Sequence, residues 1–222
     1  MQQPSFEAKA PALEVCVVIV LCFGWFILLA MQVLQANPGT DAVEGISDNS
    51  LFGLIVTECV LGACALAYLH RRGYSVPALL PRPTWRGCAW GLLLCVVGLL
   101  AAWLVQSELL DPGWLAAPRP TDKMVQESTA SLPMVLSLSA VNGLYEETFL
   151  LGYLQRFQAA AGPAFAIGLS TLVRLLYHVY QGPVGAVSVL VFGLVLGLWY
   201  WRTRMLWPAV VAHMLVDAWA MA

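Results

Sequence analysis

Seven apolar stretches, each close to the length of a membrane-spanning helix, divide this 222-residue chain. They lie at about 12–34, 51–70, 87–106, 132–156, 162–181, 183–201 and 206–221. About 20 apolar residues in a helix cross the hydrocarbon core of a bilayer. In lipid, such a segment must satisfy its own backbone hydrogen bonds. The sequence therefore predicts an all-α fold, a polytopic transmembrane helical bundle of about seven spans, with six to eight possible.

The composition supports a membrane location and argues against nucleic acid as a partner. Hydrophobic residues make up 60% of the chain and charged residues 11%, whereas soluble domains contain about 45–50% and about 25%. The net charge is −2, and the sequence contains no basic stripe that could neutralise phosphates. The lipid bilayer is the partner that this composition predicts.

A polar, proline-containing segment at 107–131 separates the first three spans from the last four. We therefore predict two regions. Residues 1–131 would form a three-span region with its connecting segment, and residues 132–222 a four-span core.

Basic residues predict the orientation in the membrane. With a cytoplasmic N-terminus, eight of them fall on the inner side: Lys9, Arg71, Arg72, Arg82, Arg86, Arg156, Arg202 and Arg204. Only Arg119 and Lys123 fall on the outer side. Cytoplasmic loops carry an excess of Lys and Arg. The sequence thus predicts an integral membrane protein with a cytoplasmic N-terminus, compatible with a bacterial inner membrane.

Ionisable residues inside the spans indicate a functional site. They are Glu58, Glu146, Glu147, Arg174, His178, His213 and Asp217. A charge at a helix centre costs about 2.5–3.5 kcal/mol on insertion scales. All of them except Glu58 lie in spans four, five and seven, so we expect those helices to share a polar cavity.

Helical geometry predicts which side chains face that cavity. At 100° per residue, adjacent Glu146 and Glu147 should point in different directions, while Asn142, Glu146 and Tyr153 should share a face. At a rise of 1.5 Å per residue, His178 lies about a turn farther from the inner membrane face than Glu146 and His213 do. Its span must therefore begin later, tilt or be offset.

The other two helices each offer a pair of polar residues at a spacing of four. Arg174 and His178 share a face of span five, and His213 and Asp217 share a face of span seven. A carboxylate and an imidazole beside one water form a general-base pair, and a second histidine could stabilise an oxyanion. Together these groups are suited to the hydrolysis of an amide bond in the membrane. The sequence has no GxSxG motif, so a covalent nucleophile is not indicated.

The same residues resemble a family pattern. Glu146-Glu147 followed by Gly152, then RLLYH at 174–178 and HMLVD at 213–217, resembles the motifs of the CPBP family. This family comprises CAAX-processing (Ras-converting-enzyme-like) and bacteriocin-processing intramembrane proteases. The resemblance covers about 130–222, and three motifs in this order and at this spacing, each in a membrane span, are fairly specific.

The resemblance implies a metal-independent glutamic endopeptidase without a cofactor. Glu146 would activate water with help from His178, and His213 and Asp217 would form the oxyanion-binding side. Glu147 would be a supporting carboxylate. The implied substrate is a membrane-anchored protein or peptide, such as a prenylated C-terminus, a leader peptide or a sorting tail.

This sequence departs from the family pattern at two positions. The motif arginine would fall at Leu151, and Arg174 on the next helix could supply that positive charge instead. Asp217 stands where asparagine is common, and an aspartate donates a hydrogen bond only when it is protonated. Asp217 could instead accept from His213 and orient its ring.

Other interpretations stay open at the level of sequence. Glu, His, His and Asp are a plausible zinc set, although the HExxH helix is missing. Intramembrane acids and histidines also occur in proton-coupled transporters, and a decayed protease could act in immunity or as a scaffold. Glu58 reads as a packing or pathway residue, and Tyr177 as an interface or cavity-wall aromatic.

Overall fold

The computed structural model describes residues 10–35, 45–116, 122 and 125–221. Within these ranges the protein is helical and contains no strand. Lys9, Arg119 and Lys123, which enter the orientation prediction, lie outside the described residues.

The structure gives bounds for nine α-helices, one π-helix and two 3₁₀ turns among the described residues. In chain order they are α1 (Ala12–Gln35), α2 (Asp48–Arg71), α3 (Val76–Leu79), α4 (Trp85–Leu109), α5 (Pro112–Ala116), α6 (Leu132–Glu147), a π-helix (Thr148–Gln155), a 3₁₀ turn (Ala159–Ala161), α7 (Pro163–Leu176), a second 3₁₀ turn (Val179–Gln181), α8 (Gly182–Thr203) and α9 (Leu206–Met221).

Each of the seven predicted spans coincides with a helix or with two consecutive helical segments. In the described part of the chain, four helices are long and apolar enough to cross a membrane: α1, α2, α4 and the segment Val179–Thr203. The helices α7 and α9 are apolar but shorter, with 14 and 16 residues. The predicted helical membrane bundle is confirmed.

The long helices expose large apolar side chains on their outer faces. Only 22–33% of the apolar windows in these four spans is buried inside the protein. Trp25, Phe52 and Trp103 are more than half exposed, at 56%, 57% and 62%. Such continuous apolar surface is suited to contact with lipid rather than water.

The central helix of the bundle is α6, which packs against α2 and α9, while its π-helical continuation packs against α7. Gly143 allows the close approach to α9, because a Cβ there would lie 3.0 Å from Met214 Cγ. Gly193 and Gly197, which form a GxxxG on α8, also pack inside the chain. A Cβ at Gly193 would lie 3.3 Å from both Thr171 and Arg174 on α7.

The interior of the bundle combines residues from both predicted regions. One cluster joins Phe23 of α1 with Tyr145 of α6 and Phe149 of the π-helix. A second cluster joins Leu94 of α4 with Val210 of α9. The division of the chain at residue 131 stays a prediction.

A buried carboxylate on α1 anchors the π-helix. Glu14 is 4% exposed. It pairs with Arg72 Nε at 2.9 Å, accepts a hydrogen bond from Tyr153 OH at 3.0 Å and accepts another from Tyr74 OH. The hydrogen bond to Glu14 raises the pKa of Arg72. Burial, followed by the hydrogen bond to Glu14, raises the pKa of Tyr74.

This anchor corrects one prediction from helical periodicity. Tyr153 contacts Glu14 and does not share a face with Glu146, because Tyr153 lies in the π-helix that begins after Glu147. Its i→i+5 hydrogen bonds change the number of residues per turn, so a seven-residue α spacing no longer returns to the same face.

Candidate active site

The two adjacent glutamates at the end of α6 are almost inaccessible. Glu146 is 4% exposed and Glu147 is 0% exposed. The guanidinium of Arg174 contacts both, at 2.7 Å from Nη2 to Glu147 Oε1 and at 3.4 Å from Nη1 to Glu146 Oε2. The expectation that the glutamates point in different directions is therefore wrong for their carboxylates. Flexible side chains bring both to one cation.

Arg174 lies in the last turn of α7 and is 3% exposed. The small Gly193 on α8 leaves room for its side chain. Leu151, where the motif arginine would fall, is 1% exposed and packs in an apolar cluster with residues such as Phe192. In this chain, the positive charge beside the glutamates comes from α7.

His213 lies between carboxylates on both sides of its ring. Its Nδ1 is 2.7 Å from Glu147 Oε1. Its Nε2 is 3.5 Å from Asp217 Oδ1 and 3.8 Å from Glu146 Oε2. Asn142 Nδ2 in turn donates to Asp217 Oδ2 at 2.7 Å. Contacts of this kind fix the orientation of an imidazole ring.

His178 is placed by a helix end rather than by a helix face. The α-helix α7 stops at Leu176, and His178 sits in the following turn with Nδ1 2.9 Å from the carbonyl oxygen of Arg174. A carbonyl only accepts, so Nδ1 carries the hydrogen and Nε2 is left for another partner. The helix α7 begins at Pro163, close to the predicted start at 162, so a later start does not explain the depth that the helical projection gives for His178.

His178 is near the glutamates without bonding to them. No hydrogen bond joins its ring to Glu146 among the residues that the structure describes, but it lies in electrostatic range of Glu146. It also lies in range of Asp217. The structure thus brings Glu146, His213 and Asp217 together directly, and His178 lies at the edge of this group.

Tyr177, which the sequence predicts only as an interface or cavity-wall aromatic, contacts the first glutamate directly. Its hydroxyl donates to Glu146 Oε2 at 2.5 Å. Its ring stacks on Phe23 of α1 with 5.2 Å between centroids. The available signal was its position, three residues after Arg174 and directly before His178.

Three side chains are close enough to hold a metal ion. Ligand atoms of Glu146, Glu147 and His213 all lie within 4.8 Å of one another. This set differs from the zinc set considered from the sequence, because it contains Glu147 and omits His178 and Asp217. The guanidinium of Arg174 already contacts both carboxylates.

Comparison with known families bears on these same helices. Residues 128–219 match the family model described as type II CAAX prenyl endopeptidase Rce1-like. This part of the chain, called the Rce1-like region below, is similar to that family. A search of curated proteins and a search of solved structures found no significant match.

The Rce1-like region contains every site residue selected from the sequence: Glu146, Glu147, Arg174, His178, His213 and Asp217. The predicted resemblance is therefore confirmed for the second half of the chain. The match implies protease activity at a membrane-anchored protein substrate, and the apolar helices place that activity in an integral membrane protein.

Proposed function

We propose that this protein is an intramembrane endopeptidase in which Glu146 activates a water molecule without a metal ion. The observation that carries the proposal is that the carboxylates of the two glutamates have different contacts. Arg174 and His213 both bind Glu147 Oε1 at 2.7 Å. The described contacts of Glu146 all use Oε2, which leaves Oε1 to accept a proton.

In the proposed reaction, Glu146 takes a proton from water while the hydroxide oxygen attacks the carbonyl carbon of the peptide. His178 orients this water through Nε2, because its Nδ1 is occupied by the Arg174 carbonyl. The C–N bond then breaks. The proton held by Glu146 passes to the leaving amine, so the base is restored.

The other groups support this chemistry in the proposal. Glu147 anchors Arg174 and His213 beside the base. His213, protonated on Nε2, faces the oxygen that becomes negative in the tetrahedral intermediate. Asp217 accepts from Asn142 and orients His213. Donors fixed in advance at such a site stabilise developing charge with little reorganisation.

The proposed substrate is a membrane-anchored protein whose scissile bond lies near the membrane, such as a prenylated C-terminus or a sorting tail. The Rce1-like match favours the prenylated class. The exposed apolar faces of α1, α2 and α4 suit lateral contact with a lipid-anchored segment.

We also propose that the N-terminus is cytoplasmic in a bacterial inner membrane. The ends of the helices that carry the basic residues lie together, since Arg156 Nη1 donates to the Ala78 carbonyl at 2.6 Å. Arg72 reaches Glu14 near the start of α1. This grouping supports a single basic, cytoplasmic side.

The test is hydrolysis of quenched, membrane-anchored peptides by the purified protein in detergent. We would compare prenylated with unprenylated peptides, and wild type with Glu146→Gln and His178→Ala. The control is Glu108→Gln, an exposed carboxylate at the end of α4. Glu146→Gln should lower kcat about 10²–10⁴-fold, His178→Ala should lower it less, and the control should leave it unchanged.

Three results would contradict parts of this proposal. Activity retained in a folded Glu146→Gln variant would remove Glu146 as the base. Activity abolished by a strong chelator would move Glu146, Glu147 and His213 into a zinc site. A well-folded wild type that cuts neither peptide class would favour a non-catalytic role, as a transporter or a decayed protease.

A further inference from the structure

One buried carboxyl group outside the Rce1-like region faces the same site. Glu58 on α2 is 5% exposed. It belongs to the buried face of α2, together with Leu51 and Gly62. A Cβ at Gly62 would lie 3.3 Å from the ring of Tyr145, the residue directly before Glu146. The buried face of α2 is therefore turned towards α6.

The packing of Leu51 gives the height of Glu58 along the bundle axis. Leu51 packs with Val135 of α6 and Met221 of α9. At 1.5 Å per residue, Glu58 lies about 10 Å beyond Leu51, while Asp217 and His213 lie about 6 and 12 Å beyond Met221. Glu58 is thus at the level of the Asp217–His213 pair, and it is in electrostatic range of both and of Glu146.

The oxygen Oε2 of Glu58 is buried and has no hydrogen-bond partner among the described residues. The nearby cations are already engaged, since Arg174 binds the two glutamates of α6 and His213 lies between Glu147 and Asp217. An isolated carboxylate in such surroundings is costly, and binding a proton removes that cost. A protonated carboxyl group is also a hydrogen-bond donor.

We propose that Glu58 is a further catalytic residue, a neutral carboxylic acid that donates a hydrogen bond to the carbonyl oxygen of the scissile peptide. This inference rests on the proposed peptidase function. Asp217 accepts from Asn142 and pairs with His213, so it supplies no donor at this point. Glu58 supplies the donor that Asp217 lacks.

This role makes activity sensitive to alkaline pH. The titratable groups that face Glu58 are Tyr145 and Glu146 from α6 and His213 and Asp217 from α9. On α1, the carbonyl of Cys22 accepts from Tyr145, and α3 carries no titratable side chain. If Glu58 ionised, it would lose its donor and add negative charge beside the oxyanion, so turnover would fall.

The experiment compares kcat, KM and the pH profile of wild type, Glu58→Gln and Glu58→Leu, with Glu108→Gln as the matched carboxylate-to-amide control. Loss of one oxyanion donor lowers kcat about 10²–10³-fold, and we expect this in Glu58→Leu with little change in KM. Glu58→Gln keeps a donor and cannot ionise. It should retain most of kcat and keep its activity at alkaline pH, where wild type and the control lose theirs.

A purely structural role would not give rescue by glutamine together with a changed pH profile. The proposal is overturned if Glu58→Leu turns over like wild type, if Glu58→Gln is as impaired as Glu58→Leu, or if the alkaline limb is the same in Glu58→Gln and wild type.

An infrared measurement separates this inference from the proposed function, because it needs no hydrolysis and no leucine variant. The carbonyl-stretch band of a buried protonated carboxyl group should be present in wild type and Glu108→Gln at neutral pH and reduced in Glu58→Gln. Equal bands in wild type and Glu58→Gln would show that Glu58 holds no proton, and the inference would fail even in an active protease.

Discussion

Arg174 offers the sharpest test of how this site is held together. Its side chain is 3% exposed and contacts Glu147 at 2.7 Å and Glu146 at 3.4 Å. Arg174→Leu would remove the one guanidinium that contacts both buried carboxylates. Removing one partner of a buried pair costs about 3–5 kcal/mol. That is a large part of the roughly 5–15 kcal/mol by which most proteins are stable.

The assay is a double-mutant cycle on the free energy of unfolding in mixed detergent micelles, with Arg174→Leu, Glu147→Gln and the double variant. The double variant should be more stable than the sum of the single effects predicts, by about 2 kcal/mol. The exposed Arg202→Leu is the control and should change stability by less than about 0.5 kcal/mol. Additive effects within error, or an Arg174→Leu variant as stable as the control, would refute the reasoning.

Three further predictions concern neighbouring positions. Leu151→Arg restores the family motif but should destabilise the protein by about 3 kcal/mol or more, because Leu151 is 1% exposed in an apolar cluster. Thermal unfolding of this variant, with Leu151→Met as the control, checks this prediction. Gly193→Leu should lower kcat, because the larger side chain would displace Arg174. Gly168 has open space around it, so Gly168→Ala should stabilise the protein by up to about 1 kcal/mol. Measurements of kcat and of the free energy of unfolding for both variants test these two expectations. Because the pKa of Tyr74 is raised in the folded protein, the unfolded chain loses the hydroxyl proton of Tyr74 at a lower pH than the folded chain does. The stabilisation from the protonated Tyr74 should therefore be present below pH about 10 and decline above it. Tyr74→Phe should flatten that decline in unfolding curves measured against pH, and an unchanged slope would contradict it.

The sequence was most informative where polar residues interrupt apolar helices. A buried charge needs a partner, so the amino-acid sequence alone is enough to expect that Glu146, Glu147, Arg174 and His213 meet. The hypothesis that Arg174 accompanies the glutamates agrees with its contacts to both.

Periodicity failed where the helix geometry changes. The π-helix after Glu147 sends Tyr153 to Glu14, and the end of α7 at Leu176 places His178 in a turn. Neither change has a local sequence signal as strong as a proline or a glycine cap. The Tyr177–Glu146 contact depends on where that turn lies, so an α-helical projection could not predict it either.

The short helices α7 and α9 have a consequence for the surrounding bilayer. With 14 and 16 residues, they rise only about 21 and 24 Å, against a hydrocarbon core of about 30 Å. Local thinning of the membrane along this flank is one way to accommodate helices of this length. Thinning would bring headgroups and water closer to Arg174, His178 and His213 and would shorten the path of a lipid-tethered peptide to them. Reconstitution into short-chain lipids should therefore favour turnover, and thick bilayers should suppress it.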